Sequence, residues 1–433
     1  MDQPKSRRPP IRYVASAVLP DGRMVETIYR PEPNETLFVV AKNGAVEELR
    51  AIDVEGQGRL VPHSPINNLL THRIIAFPSC AATYESETSL VRAVRAFIHQ
   101  YADVSEPFEE LATYYVLLTW VYDAFNELPY LRFKGDFGTG KSRCLQTIGS
   151  LCYKPMFASG ASTVSPLFRI IDIFRGTLVI DEADFRFSDD RAEIVKILNN
   201  GNATGFPVLR SEVTPAKDFS PKAFVVFGPK LIATRRSFDD PALESRCITE
   251  PLSGLPPRAD IPLSLPASFH EEALALRNQL LSYRFRTFRE HPSPTLRDPA
   301  LEPRIAQVIG PVLSVATDPQ ARERIAAFAR AMNSSMLAER SATTEAQLLD
   351  IIDSMRRDAE PLGIKSIAEQ FAARFGKDYE RQITPRWIGS QLRRRLALTT
   401  VRDRGTFVIA PSEAPKLDAL IKRYGISNDG VEE

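Results

Sequence analysis

Between Gly135 and Ser142 the chain reads GDFGTGKS, a spacing of glycine, lysine and serine suited to one chemistry. Glycines at 135, 138 and 140 let backbone N–H groups converge on phosphate oxygens without Cβ obstruction. A helix starting at the lysine aims its positive end at the same anion. Lys141 reaches the β- and γ-phosphates, and the Ser142 hydroxyl ligates Mg²⁺. Thr139 and Arg143 flank these residues and join the nucleotide-binding set. Forty residues beyond Lys141, Asp181 and Glu182 follow the apolar run Leu178-Val179-Ile180. Asp181 is placed to hold the Mg²⁺ shell, and Glu182 to orient and deprotonate an attacking water. An Asp-Glu pair alone is usually a solvated turn. Behind this loop it reads as ATP hydrolysis.

Such a site needs a strand before the loop, a helix after it and a second strand ending at the acids. "YLRFKG", "KSRCLQTIGSLC", "PMFAS", "SPLFRIIDIF" and "GTLVID" supply strand, helix, strand, helix and strand in turn. That rhythm predicts an α/β domain, a parallel sheet flanked by helices. Upstream, residues 11–62 read as two hairpins turning at Pro-Asp-Gly and Lys-Asn-Gly, a small N-terminal β module. Ser89 to Phe125 is helical, with Tyr114, Tyr115, Trp120 and Tyr122 expected in the core. Downstream of a proline-rich connection, helical stretches are expected at 268–288 and 302–337.

Bulk composition narrows the classes. The net charge of +1 excludes a global basic field, so any nucleic-acid surface must be local. Cys80, Cys144, Cys152 and Cys247 lack metal-ligand spacing and read as small buried hydrophobes in a reducing compartment. No apolar run is long enough to span a bilayer, and "MDQPKSRRPP" lacks a signal-peptide core. A cytoplasmic protein without membrane partners is expected.

The segment "KLIATRRSFDDPALESRCITEPL" after the acids resembles the AAA+ ATPases. In that family a polar residue called sensor 1 ends the strand, a position matched by Thr234, with Arg235 and Arg236 beside it. An arginine further on enters the neighbouring subunit's ATP site. Arg246 matches this finger, worth ~10³–10⁵ in rate. The resemblance therefore implies a homo-oligomer, expected as a hexameric ring. "FPVLRSEV" and "KAFVVF" predict an inserted hairpin with Lys217 at its tip and Arg210 and Lys222 on its flanks. It resembles the pore hairpin of superfamily III and minichromosome-maintenance helicases, whose lysine tracks DNA phosphates. Arg304, at the start of the helix in "LEPRIAQVIG", matches the lid arginine called sensor 2, which reaches the γ-phosphate.

The C-terminal stretch has the layout of a winged helix: a helix, a short strand "GIKSI", two helices and a hairpin turning at Asp403-Arg404-Gly405. Thr384 is a natural N-cap and Pro385 a first-turn proline. Arg386, Arg393, Arg394 and Arg395, with Arg402 and Arg404 on the wing, form a local basic set suited to phosphate contact. The expected organisation is a disordered tail (1–10), the β module (11–85), an AAA+ P-loop core with leading helices (86–250), a helical lid (251–338), the winged helix (339–412) and a terminal helix and tail (413–433). The whole resembles replicative helicases of viruses and mobile elements. It implies an ATP- and Mg²⁺-driven ring on single-stranded or forked DNA, with a primase or initiator as a possible partner. Two departures stand against it. "YKPMFASGASTVS" is too short for the extra helix-inserted hairpin of minichromosome-maintenance proteins, and residues 11–62 carry no zinc-ligand pattern. Two other readings stay open: an AAA+ protein remodeller docking through the winged helix, and a DNA-binding initiator whose ATP controls only assembly.

Overall fold

A computed structural model describes residues 10–160, 162–183, 188–213, 219–288, 298, 301–379, 382–403 and 405–426. The expected disordered tail therefore lies almost wholly outside the described residues. The chain forms two compact units, Met1–Ala329 and Arg330–Glu433.

The first unit opens with seven strands: β1 (Ile11–Tyr13), β2 (Ser16–Val18), β3 (Met24–Arg30), β4 (Glu35–Lys42), β5 (Ala45–Leu49), β6 (Ile52–Val54) and β7 (Gly58–Val61). Antiparallel β2-β3-β4-β5 faces a three-stranded β1-β7-β6 sheet, and Val25, Phe38, Val40, Ile52 and Leu60 share one core. Both expected turns are present, closing Val18↔Met24 and Lys42↔Ala45. The module is not free-standing. Glu26 on β3 is 2% exposed, accepts a bond from the Tyr153 hydroxyl (2.7 Å), and is ion-paired with Lys154 (3.3 Å) and Arg284 (2.7 Å). Periodicity did not reveal this buried charge cluster, whose members lie up to 258 residues apart.

Next come α1 (Asn68–Thr71), α2 (Glu87–Tyr101) and α3 (Glu106–Trp120). α3 is apolar on nearly every side because it is sandwiched between α2 and the helices that follow the sheet. The aromatic residues Tyr114, Tyr115, Trp120 and Tyr122 are all buried.

The central sheet uses β8 (Tyr130–Lys134), β9 (Met156–Ser159), β10 (Leu178–Asp181), β13 (Lys230–Thr234) and β14 (Cys247–Pro251). Their spatial order is β14-β8-β13-β10-β9, and every pairing is parallel. Helices α4 (Lys141–Gly149), α5 (Val164–Phe174), α6 (Ser188–Asn200) and α7 (Pro241–Glu244) connect and flank it. This is an α/β fold with a phosphate-loop layout. Strands covered on both faces are continuously apolar, as in Leu178-Val179-Ile180. Before β13, β11 (Val208–Val213) and β12 (Phe219–Phe224) form the expected antiparallel hairpin.

Beyond the sheet lie α8 (Phe269–Thr287), α9 (Pro303–Val315) and α10 (Pro319–Ser341), with the division between units inside α10. The stretch expected as one helix over 302–337 is two. The chain leaves α-helix at Ala316, and Pro319 begins the next helix, as its missing N–H favours. Among the described residues no helix is long and apolar enough to cross a membrane. Cys144, Cys152 and Cys247 are buried, and all four cysteines are free.

The second unit packs α11 (Thr344–Arg357), α12 (Ile364–Phe375), α13 (Pro385–Arg394) and α14 (Ala414–Arg423) with the hairpin β15 (Thr400–Asp403) and β16 (Thr406–Ile409). The expected strand "GIKSI" is helical instead: Gly363 caps α12 and keeps only an isolated bridge to Val408. Ile364, Ile367, Ala368 and Phe371 recur at helical spacing and are all buried, so the helix wins. Thr384 caps α13 as expected, accepting from the Trp387 N–H at 3.2 Å.

Candidate nucleotide site

β8 ends in the loop Gly135–Gly140, which opens directly into α4. Gly138 (φ +76°) and Gly140 (φ +89°) sit in left-handed backbone that side-chain-bearing residues rarely adopt. A Cβ on Gly135 would approach the Thr139 hydroxyl to 2.6 Å and the Leu252 carbonyl to 2.8 Å. Lys141 is 9% exposed, and its ammonium donates to the loop's own carbonyls at Gly135 (2.8 Å) and Asp136 (2.6 Å). Those bonds hold the cation inside the cradle, where a phosphate would compete for it.

Strand register brings the acids alongside. Thr234 pairs with Lys134, and the Gly135 N–H donates to the Thr234 carbonyl at 3.1 Å. β10 lies beside β13, so Asp181 emerges at the same C-terminal edge of the sheet. Asp181 accepts from the Glu182 N–H at 2.9 Å. Glu182 adopts φ +54°, a costly conformation for a glutamate. Its carboxylate is exposed and lies 3.7 Å from the Arg235 guanidinium. Gly160 accommodates the bend, since a Cβ there would meet the Glu182 carbonyl at 2.5 Å. Thr234 is 1% exposed, and its hydroxyl has no hydrogen-bond partner among the described residues. A buried hydroxyl left unsatisfied fits a position that gains a partner when the site fills. The glycine cradle, the confined lysine and this hydroxyl suit a nucleoside triphosphate with its Mg²⁺.

Arg246 and Arg304 stand elsewhere. Arg246 precedes β14, whose first residue pairs with Tyr130 at the start of β8. The length of β8, roughly 13 Å at strand rise, separates that end from the phosphate loop. The Arg246 guanidinium donates to Asn199, and its buried Nε has no partner among the described residues. Arg304 donates to Ser245 (3.2 Å) and Gln307 (2.6 Å). Burial and the neighbouring Arg246 both lower its pKa. The two arginines are thus neighbours, at the sheet edge opposite their own loop. Arg132 on β8 braces the segment that carries Arg246: its guanidinium bonds Glu244 at 2.6 Å, and Glu244 accepts the Phe238 N–H at 2.8 Å. Burial alone would raise the Glu244 carboxyl, but Arg132 outweighs it and the net shift is downward.

One part of the site escaped the sequence. A cavity of about 540 Å³ adjoins Gly138–Gly140, walled by Asp103, Ser105, Glu250 and the proline segment 251–263. Glu250 is 5% exposed and accepts the Ser105 N–H (2.6 Å) and hydroxyl (3.0 Å); burial raises its carboxyl pKa. Arg143 donates to the carbonyls of Pro262 (3.0 Å) and Leu263 (2.8 Å), tying α4 to that wall. These segments are far apart in the chain, and no local pattern announces them.

Of the expected DNA contacts, Lys217 and Arg404 lie outside the described residues. Arg210 is ion-paired with Glu193 (3.1 Å) and lies over the Phe168 ring. Lys222 lies over Phe224. In the second unit, Arg386, Arg393, Arg394 and Arg402 are exposed, with Arg393 donating to Thr400 at 3.2 Å.

No protein-family model matches the chain, and no curated protein does. Solved structures do resemble it. The SCCmec type IV Cch active helicase is 11% identical over 96% of this chain and 82% of that one, with a TM-score of 0.45. The apo A form of the NrS-1 C-terminal region is 10% identical over 89% and 96%, with a TM-score of 0.37. The full-length MCM homolog from Methanopyrus kandleri is 11% identical over 71% and 76%, with a TM-score of 0.35.

Proposed function

We propose that the chain is an ATP-driven DNA helicase that works as a ring, serving replication of a mobile element or virus. One observation carries the reading. Lys141, Ser142, Asp181, Glu182 and Thr234 gather at one edge of the parallel sheet, while Arg246 and Arg304 wait together at the other. A subunit built this way supplies a phosphate cradle on one side and cations for a neighbour's cradle on the other. Sensor 2 at Arg304 then serves the neighbouring subunit's nucleotide rather than its own.

In the proposed mechanism the loop N–H groups and Lys141 hold the triphosphate, and Lys141 exchanges the Gly135 and Asp136 carbonyls for phosphate oxygens. Ser142 and Asp181 would hold Mg²⁺, which offsets phosphate charge when bound. Glu182 accepts the proton of the attacking water, and the Thr234 hydroxyl donates to the phosphoryl group or the water. Arg246 and Arg304 of one subunit stabilise the charge that develops in the next. The β11–β12 hairpin, with Lys217 between its two strands in the sequence, and the winged-helix-like second unit provide the DNA contacts.

The test is steady-state ATP hydrolysis with and without single-stranded DNA, beside unwinding of a forked duplex at the same protein concentration. DNA-stimulated hydrolysis with strand separation is expected. Hydrolysis indifferent to DNA, without unwinding, would replace this reading with the protein remodeller. ATP-dependent assembly on DNA without unwinding would replace it with the initiator.

A further inference from the structure

A second cavity, of about 510 Å³, lies in the first unit and shares no lining residue with the nucleotide cavity. Its walls join the β module, the segment before α2, the flank of α4 and the first turns of α8. Leu70, Ile75 and Phe77 are buried in one wall, and Phe269 in another. The volume is that of a pocket for a small organic ligand.

Two of its three charged lining groups are guanidiniums, those of Arg73 and Arg277. Arg277 on α8 is 8% exposed and donates to the Ser150 carbonyl at 2.7 Å, but its buried Nε has no partner among the described residues. A buried guanidinium short of a partner is expensive, and burial pushes its pKa down to about 10. Arg73 and His270 also line the cavity. Burial lowers the His270 pKa, and the charges of Arg73 and Arg277 lower it further, so both arginines are felt there. Ser268, the residue before α8, makes no side-chain cap bond, which leaves the positive end of a 19-residue helix at the wall. Glu271, exposed, is the one acid in the lining.

We infer that this cavity binds an organic acid: a carboxylate on an apolar body. The body fills the aliphatic and aromatic walls, and the carboxylate pairs with the Arg277 and Arg73 guanidiniums that line the cavity. A free phosphate group fits less well, because its several oxygens need more donors than this mainly apolar lining offers. The site is separate from the phosphate loop, although it touches α4 at Gln146 and at Ser150, which caps that helix.

Calorimetric titration of the full chain with octanoate, octanol and octylamine tests this. Octanoate should bind at least ~10-fold tighter than octanol, a gap of about 1.4 kcal/mol, and octylamine should not bind. Arg277→Met should lose at least ~10-fold in octanoate affinity, within the range for a charge-assisted bond. Arg73→Asn should also weaken binding, and it should preserve the fold because Arg73 is exposed at φ +55°, a region Asn tolerates. Lys141→Ala should bind octanoate like the wild type, which separates this site from the nucleotide site. Equal affinity for octanoate and octanol, no octanoate binding, or unchanged affinity in the two arginine variants would overturn the inference. If Arg277→Met does not fold, Arg73→Asn and the octanoate-to-octanol ratio decide.

Discussion

The Glu182 carboxylate lies 3.7 Å from the Arg235 guanidinium, one residue past the end of β10 and one past the end of β13. Ala183, next in line, donates to the Ala233 carbonyl at 2.9 Å, so the two strand ends are stitched together where the proposed base sits. Both side chains of the ion pair are substantially exposed, and such pairs contribute up to ~1 kcal/mol. Arg235→Ala should free Glu182 and raise basal ATP turnover by up to ~5-fold. A fall in turnover would assign Arg235 to orienting the base instead of holding it back.

Glu182→Gln removes proton acceptance while keeping the shape. Turnover should drop ~10²–10⁴-fold with nucleotide affinity preserved. Lys141→Ala should abolish nucleotide binding itself. Fluorescent-nucleotide titration alongside turnover separates the two, and normal turnover in Glu182→Gln would remove it as the base.

Arg246 and Arg304 lie at the sheet edge away from their own loop, so defects there should complement defects in the loop. Arg246→Ala and Lys141→Ala proteins, each inactive, should recover part of the wild-type turnover when mixed. The same should hold for Arg304→Ala with Lys141→Ala. Mixtures as dead as their components would argue against shared sites.

Lys230 is buried, and its ammonium donates to the carbonyls of Gly201 (3.1 Å), Val226 (3.0 Å) and Gly228 (2.9 Å). Burial pushes its pKa down to about 7, against an ordinary value of 10.5. Between those values the unfolded chain binds the proton and the folded chain releases it, so folding gains stability as pH rises. The contribution is complete above pH 10.5 and is lost as pH falls to 7. The stability difference between wild type and Lys230→Met, from denaturant melts at pH 7, 8.5 and 10, should therefore shift in favour of the wild type as pH rises. A difference flat with pH would mean Lys230 keeps its ordinary pKa.

In the second unit, Arg386, Arg394 and Arg402 are exposed cations. Replacing all three with Gln should weaken single-stranded DNA binding and flatten the salt dependence by ~0.7 in log–log slope for each lost phosphate contact. An unchanged slope would point to a protein-docking role for this unit.

The order of the central elements was legible in the chain because each rests on local rules. Apolar runs bounded by turns became β8, β9 and β10, glycines marked the phosphate loop, and Thr384 with Pro385 marked the start of α13. The chemistry proposed for Lys141, Ser142, Asp181 and Glu182 rests on the same kind of rule: residue type and spacing limit what such groups can do. Local reading failed where two local signals competed, as at Ile364–Ile367, where β-branched residues hinted at strand but the buried spacing was helical. It also failed where one pattern concealed a break, as at Ala316. What only the tertiary structure decided was adjacency. Glu26 meets Lys154 and Arg284, Arg304 comes to Arg246, and the second cavity closes around Arg277, because burial and charge pairing act between segments that are distant in the chain. Those forces depend on separation in space, and the sequence carries no ruler for that.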